Sequence, residues 1–181
     1  TVSSDNYQIG YDATRYLIRT GHKQIAIACG REELLLYRER LRGYRKAMEE
    51  NGLPVREEFI LHEAGGNNGF YYQVRDLVEQ GSVPDAIFCT SDPKAFVVMH
   101  ALHDLGLRMP EDVAVIGVDN VSMASMVEPP LSTISQHLHD MGVAAAKSLI
   151  RQIEYKDKYG QLPKPQRTIM NSDLIVRRST N

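Results

Sequence analysis

Short apolar, β-branched runs alternate with amphipathic stretches along most of this chain, and no other feature narrows the possible folds as much. The runs are QIAIAC (24–29), EFILH (58–62), DAIFCT (85–90), VAVIGV (113–118), LSTISQ (131–136) and QRTIMNSDLIV (166–176). Most are apolar throughout or bounded by turn residues, as expected of strands covered on both faces in a parallel sheet. Helical spacing fills the gaps. Ile9, Ala13, Tyr16 and Leu17 fall on one face of 5–20, which Gly21 ends. Helices over 38–51 and 68–80 stop at Asn51-Gly52 and Gly81. Ser91-Asp92-Pro93 starts a helix over 92–105 that stops at Gly106. Leu138, Met141, Ala145, Leu149 and Ile153 share a face of 138–155. Strand-helix alternation with short Gly-bearing connections predicts an α/β fold with a doubly wound, mostly parallel sheet. One connection departs from the pattern: VSMASMV (121–127) follows Asn120, is strongly apolar, and is cut short by Pro129-Pro130. The polar KDKYGQLPKP (156–165) reads as a crossover.

A length of 181 residues suits one compact domain or two small lobes. Lys plus Arg (21) nearly balance Asp plus Glu (23), and a net charge of −2 argues against this segment itself gripping nucleic acid. No run approaches the ~18 apolar residues of a membrane helix. The opening TVSSDNYQIG shows neither the basic nor the apolar region of an export signal. Cys29 and Cys89 both end apolar runs, which suits two buried thiols in a reducing cytoplasm.

Ligands of open α/β sheets bind beyond the carboxyl ends of the strands. There the chain places Gly30, Arg31, Glu32 and Glu33, with Arg38 and Arg40 in the next helix. Glu63, Ala64 and Gly65 follow the second run, Ser91 and Asp92 the third, Asp119 and Asn120 the fourth, and Gln136 the fifth. A GxGxxG loop, a phosphate-binding P-loop and a Gly-x-Ser-x-Gly elbow are all missing. His100 and His103 share a helix face without a third metal ligand, and His137 and His139 flank a strand-to-helix turn. Neither catalytic residues, nor a metal, nor a cofactor is therefore expected. Carboxylates, an amide and a guanidinium suit a small molecule with several hydroxyls, because Asp accepts hydroxyl hydrogens and Arg donates in a fixed plane.

Several segments together carry a resemblance: YLIRTGHKQIAIACG, RLRGYRKAMEENGL, PDAIFCTSDPKA, GLRMPEDVAVIGVDN, EPPLSTISQ and LIVRRST. In this order they resemble the effector-binding core of the lac repressor/galactose repressor (LacI/GalR) family of bacterial transcription regulators, from about Asn6 to Thr180. The resemblance implies a periplasmic-binding-protein-like lobe with most of a first lobe, and the DNA-reading helix-turn-helix headpiece, outside this chain. It implies that residues 1–21 hold the last helix of the first lobe. Residues 22–134 would be the second lobe, 135–165 the crossover and helix of the first lobe, and 166–181 the final strand of the second. It implies a cytoplasmic, non-enzymatic sensor, with operator DNA bound only through the headpiece. A periplasmic-type solute-binding protein for sugar uptake is the alternative, and a small hydrolase a third that lacks its nucleophile.

Carried onto this chain, the resemblance assigns effector contacts to Arg40, Ser91, Asp92, Asp119 and Gln136, with a sugar or sugar-like molecule as the effector class. Ala64 stands where many members have an aromatic platform, and Val118 where Tyr or Phe precedes the aspartate, so a wider pocket is expected. Glu32, Glu33 and Glu63 are placed near the gap. A homodimer is implied through Phe96, Met123, Met126 and Val127, which would make the apolar VSMASMV segment an interface.

Overall fold

The computed structural model describes residues 1–31, 33–63 and 69–181. Its elements in chain order are β1 (Val2–Ser4), α1 (Asn6–Arg19), β2 (Ile25–Ala28), α2 (Leu35–Glu50), β3 (Ile60–Leu61), α3 (Gly69–Glu79) and β4 (Ala86–Cys89). There follow α4 (Asp92–Asp104), β5 (Ala114–Val118), β6 (Ser132–Ser135), α5 (Leu138–Tyr159), β7 (Thr168–Met170) and β8 (Asp173–Ile175). A six-stranded sheet runs β3-β2-β4-β5-β6-β8. All its pairings are parallel except the last, where Thr133 faces Ile175 in an antiparallel register. The strands most deeply placed, IAIA, AIFC and AVIGV, are buried at every position.

Strand alternation divides the core. Ile25, Ile27, Ala86, Phe88, Ala114, Ile116 and Val118 face α1 and α2. Ala26, Ala28, Ile87, Cys89 and Val115 face α3 and α4. Side chains of period two thus meet helices on both sides, and none of these three strands keeps a polar face. Tyr44 of α2 is fully buried, and its hydroxyl donates to Ile25 O at 2.7 Å, so the polar tip of a large core side chain is satisfied.

Two placements differ from the sequence expectations. Helix α1, expected to belong to the first lobe, is a core element of this one: Ile9, Ala13 and Leu17 are fully buried in the cluster that contains Phe88 and Ile116. The cause is a glycine-mediated crossing with α2. A Cβ on Gly10 would lie 2.1 Å from Arg40 O, and one on Gly43 would lie 2.2 Å from Tyr7 O. Only glycine lets the two backbones approach this closely. The run at 166–176, read as one strand, is two. β7 pairs in parallel with β1 in a separate two-stranded sheet, with Ser3 opposite Ile169, while β8 crosses to the main sheet.

Residues 177–180 then tie the end of the chain to the sheet. Ser179 Oγ donates to Val115 O at 2.6 Å and accepts from Ser132 N at 2.8 Å. Thr180 Oγ1 shares hydrogen bonds with Ser132 Oγ at 2.7 Å and with Tyr16 OH at 3.0 Å. In contrast, no residue of α5 is buried. Leu138, Val143, Leu149, Ile150 and Ile153 are all more than a third exposed. Cys29 and Cys89 are buried and form no disulfide, and burial pushes the Cys89 thiol far above its ordinary range. No described helix is long and apolar enough to cross a membrane.

Candidate functional site

The carboxyl ends of β2, β4, β5 and β6 open onto a cleft of about 340 Å³, lined by Val2, Ser3, Ser4, Asn6, Leu36, Tyr37, Arg40, Ser91, Asp119, Gln136 and Met141. Four of the residues expected from sequence meet here: Arg40, Ser91, Asp119 and Gln136. Each arrives from a different element, so convergence is a property of the sheet edge and not of any one segment.

Arg40 points inward from the second turn of α2 and is only 3% exposed. Its Nε donates to Asn6 Oδ1 at 3.0 Å, and Nη1 donates to the Thr90 carbonyl. Burial lowers its pKa, and the negative charge of Asp119 works against that. Arg38, two residues earlier, turns to solvent. Asp119 follows directly on β5 with φ +116°, and Asn120 has φ +53°. Both backbone angles are uncommon outside glycine and are held from several sides. Asp119 N donates to Ile134 O at 2.9 Å. Asn120 Oδ1 accepts from Arg177 Nη2 at 2.8 Å. The Asp119 carboxylate accepts from Gln136 Nε2 at 2.5 Å. Burial raises its pKa, opposed by Arg40, the Gln136 hydrogen bond and Lys94. The outcome is a carboxylate-amide pair facing the cleft, backed by a guanidinium. Ser91 precedes α4 without a capping hydrogen bond from its side chain, so the hydroxyl is left to the cleft.

Asp92 is placed elsewhere. It is fully buried behind β5. Oδ1 accepts from Thr133 Oγ1 at 2.6 Å, and Oδ2 accepts from Val121 N at 2.9 Å. Its Oδ1 would lie 2.3 Å from a Cβ on Gly117, which explains the glycine inside that strand. Burial raises its pKa, and the two hydrogen bonds oppose the rise. With both oxygens occupied inside the protein, Asp92 clamps the β5–β6 connection and does not line the cleft. Val118 is also turned away, into the core under α1 and α2, so its small side chain does not widen the pocket. Ala64 and Glu32 lie outside the described residues.

The sequence reading passed over Asn6, Tyr37 and Lys94. Asn6 holds Arg40 in place. Tyr37 is three residues before Arg40 on α2, so helical spacing alone puts them on one face. Lys94 Nζ lies 4.4 Å from the centroid of the Tyr37 ring and donates to its hydroxyl at 3.1 Å. Among the four apolar residues expected at an interface, Met123 and Met126 are 56% and 79% exposed. Phe96 and Val127 are half-buried and pack on the α3–α4 side of the core. No group of three or more His, Cys, Asp or Glu side chains that could hold a metal occurs among the described residues.

Residues 14–180 match the family described as "Periplasmic binding protein-like domain". The chain is 36% identical over 179 residues to the HTH-type transcriptional repressor PurR of Actinobacillus pleuropneumoniae serotype 3 (strain JL03), covering 98% of this chain and 52% of that protein. It is 36% identical over 152 residues to catabolite control protein A of Priestia megaterium, covering 83% of this chain and 46% of the relative. Among solved structures, the transcriptional regulator CelR in complex with cellobiose superposes with a TM-score of 0.88 at 32% identity, covering 98% of this chain and 53% of that one. The chain thus spans about half the length of the curated relatives it matches.

Proposed function

The chain belongs to the periplasmic binding protein-like domain family, in its lac repressor/galactose repressor branch, and on that premise we propose that it is the effector-sensing and dimerisation part of a bacterial DNA-binding transcription regulator. The observation that carries this reading is the meeting of Arg40, Ser91, Asp119 and Gln136 on one open cleft at the carboxyl edge of the sheet. Such a cleft takes a small polar molecule, a sugar or sugar-like effector, whose hydroxyl hydrogens go to Asp119. Operator DNA is contacted through a headpiece outside these residues, in the cytoplasm. The relatives are transcriptional regulators, and the reading is of a binder, not an enzyme.

The two-stranded sheet β1-β7 and helix α5 are, in this proposal, the near part of a second lobe on the opposite side of the effector. Ligand that touches both sides favours one angle between the lobes, and the headpieces follow. Two copies associate through Phe96, Met123, Met126 and Val127; the exposure of the two methionines supports this surface.

Calorimetry of the full-length protein against mono- and disaccharides tests the cleft. Arg40→Ala and Asp119→Ala should each lose at least about 1.5 kcal/mol of binding. Unchanged affinity in both would remove the site. Sedimentation of Met123→Glu/Met126→Glu tests the surface: a wild-type dimer should become a monomer, and a wild type that is monomeric throughout contradicts the assignment.

A further inference from the structure

Lys94 is the third residue of α4, and its side chain is only 12% exposed. A nearly buried ammonium offers three donors and needs them met. Among the described residues one goes to Tyr37 OH at 3.1 Å. The nearest carboxylate oxygen, Glu63 Oε2, lies at 3.6 Å, beyond the length of a charge-assisted hydrogen bond. The Tyr37 ring beneath Lys94 is itself part of the cleft wall, beside Arg40 and Asp119.

The other charges of the cleft are also engaged by internal bonds. Two of the Arg40 nitrogens are already bonded to Asn6 and Thr90. Asp119 is bonded to Gln136, and Asp92 is sealed behind the strand. Lys94 therefore has donor capacity left behind Tyr37, on the side of Glu63 and not among the residues that line the cleft itself. Glu63, its loose partner, is 40% exposed and can move. It also borders a second hollow of about 310 Å³, together with Gly30, Arg31, Glu33 and His62, where Arg31 offers an alternative cation.

We propose that Lys94, laid over Tyr37 and loosely paired with Glu63, is a specificity-determining residue that makes the cleft select effectors carrying an oxyanion, a phosphate or a carboxylate, over their neutral counterparts. The incoming oxyanion takes the place of the Glu63 carboxylate, at closer range and in a largely water-excluded position where a charge pair is worth more than on the surface. Glu63 turns toward Arg31. The proposal rests on the reading of this cleft as the effector site.

The test is calorimetry on the full-length protein with matched pairs: glucose 6-phosphate and glucuronate against glucose, and ribose 5-phosphate against ribose. Wild type, Lys94→Met, Glu63→Gln and Asp119→Asn are compared. Methionine keeps the apolar stem over Tyr37 and removes only the charge. At least one anionic member should bind about tenfold or more tighter than its neutral partner, the scale of one charged hydrogen bond. Lys94→Met should erase that preference, and Glu63→Gln should enlarge it, since the competing carboxylate is gone. The readout in each variant is the ratio of anionic to neutral binding. A purely structural lysine does not give effects of opposite sign at the two positions. Equal binding of anionic and neutral partners, a preference that survives Lys94→Met, or no binding by any member overturns the proposal. A sugar that binds wild type, is lost in Asp119→Asn and ignores Lys94→Met removes Lys94 while the effector cleft stands. A sugar bound equally by Asp119→Asn removes the cleft as well.

Discussion

Helices α4 and α5 both carry apolar residues at helical spacing, yet the first is a wall of the core and the second touches almost nothing. Helix α4 buries Ala95, Val98, Met99, Ala101 and Leu102 against Phe70, Val74 and the α3-facing side of the sheet. Helix α5 is longer, 22 residues against 13, and buries none. A hydrogen bond from Ser4 Oγ to Met141 Sδ at 3.5 Å joins it to β1. The difference lies in what each helix has beneath it. A six-stranded sheet supplies two apolar faces, and α1–α4 cover them. The pair β1-β7 is three residues long and offers α5 hardly any surface. Apolar periodicity shows which face of a helix seeks cover; the cover itself is a property of the rest of the molecule.

If that contrast is right, matched truncations should cost very different amounts. Phe88→Ala, at the centre of β4, should lower unfolding free energy by about 3–5 kcal/mol in urea titrations. Asp92→Ala should come next, at about 2–3 kcal/mol, because it leaves Val121 N–H and the Thr133 hydroxyl unpaired inside the protein. Asp92→Asn should cost much less than Asp92→Ala, since an amide can still accept from Val121 and donate to Thr133.

A smaller effect is expected from the titration of Asp119. Burial raises its pKa above the ordinary 3.8, so the folded state holds the proton more tightly than the unfolded state does. Its contribution to stability is therefore fully present below 3.8 and is lost as pH rises through the folded value. The stability of wild type relative to Asp119→Asn should fall across that window and be level above it. A difference that grows with pH would mean that Arg40 outweighs burial. The smallest effect belongs to α5: Leu149→Ala should change the stability of this chain by no more than about 0.5 kcal/mol. A loss near that of Phe88→Ala would overturn the contrast.

What the sequence made readable follows the same division. DAIFCT and VAVIGV are identifiable because burial on both faces leaves no polar alternation. Gly21, Gly81 and Gly106 end their helices with the positive φ that glycine tolerates. The strand β1 has no such pattern: VSS becomes a strand only because Thr168–Met170, from the far end of the chain, lies beside it. Which lobe α1 packs on could be told only from the close crossing of Gly10 and Gly43 with the facing backbone. In the cleft, Arg40, Ser91, Asp119 and Gln136 were visible as polar residues just past strand ends or on the helix that follows. Asp92 shares that position, but the turn of α4 directs it inward. Lys94 escaped notice because its significance depends on Tyr37 and Glu63, each from a different element.

The bonds made by residues 177–180 set the order in which the lobe can be finished on the ribosome. Strands β2 to β6 leave the exit tunnel well before the tail does, and domains generally fold as units as they emerge. Until Ser179 and Thr180 are out, Val115 O, Ser132 N and the Tyr16 hydroxyl lack these side-chain partners. Residues translated well after β2 to β6 are thus the ones that close this seam, and a nascent lobe that still lacks them has its strands in place with the seam open.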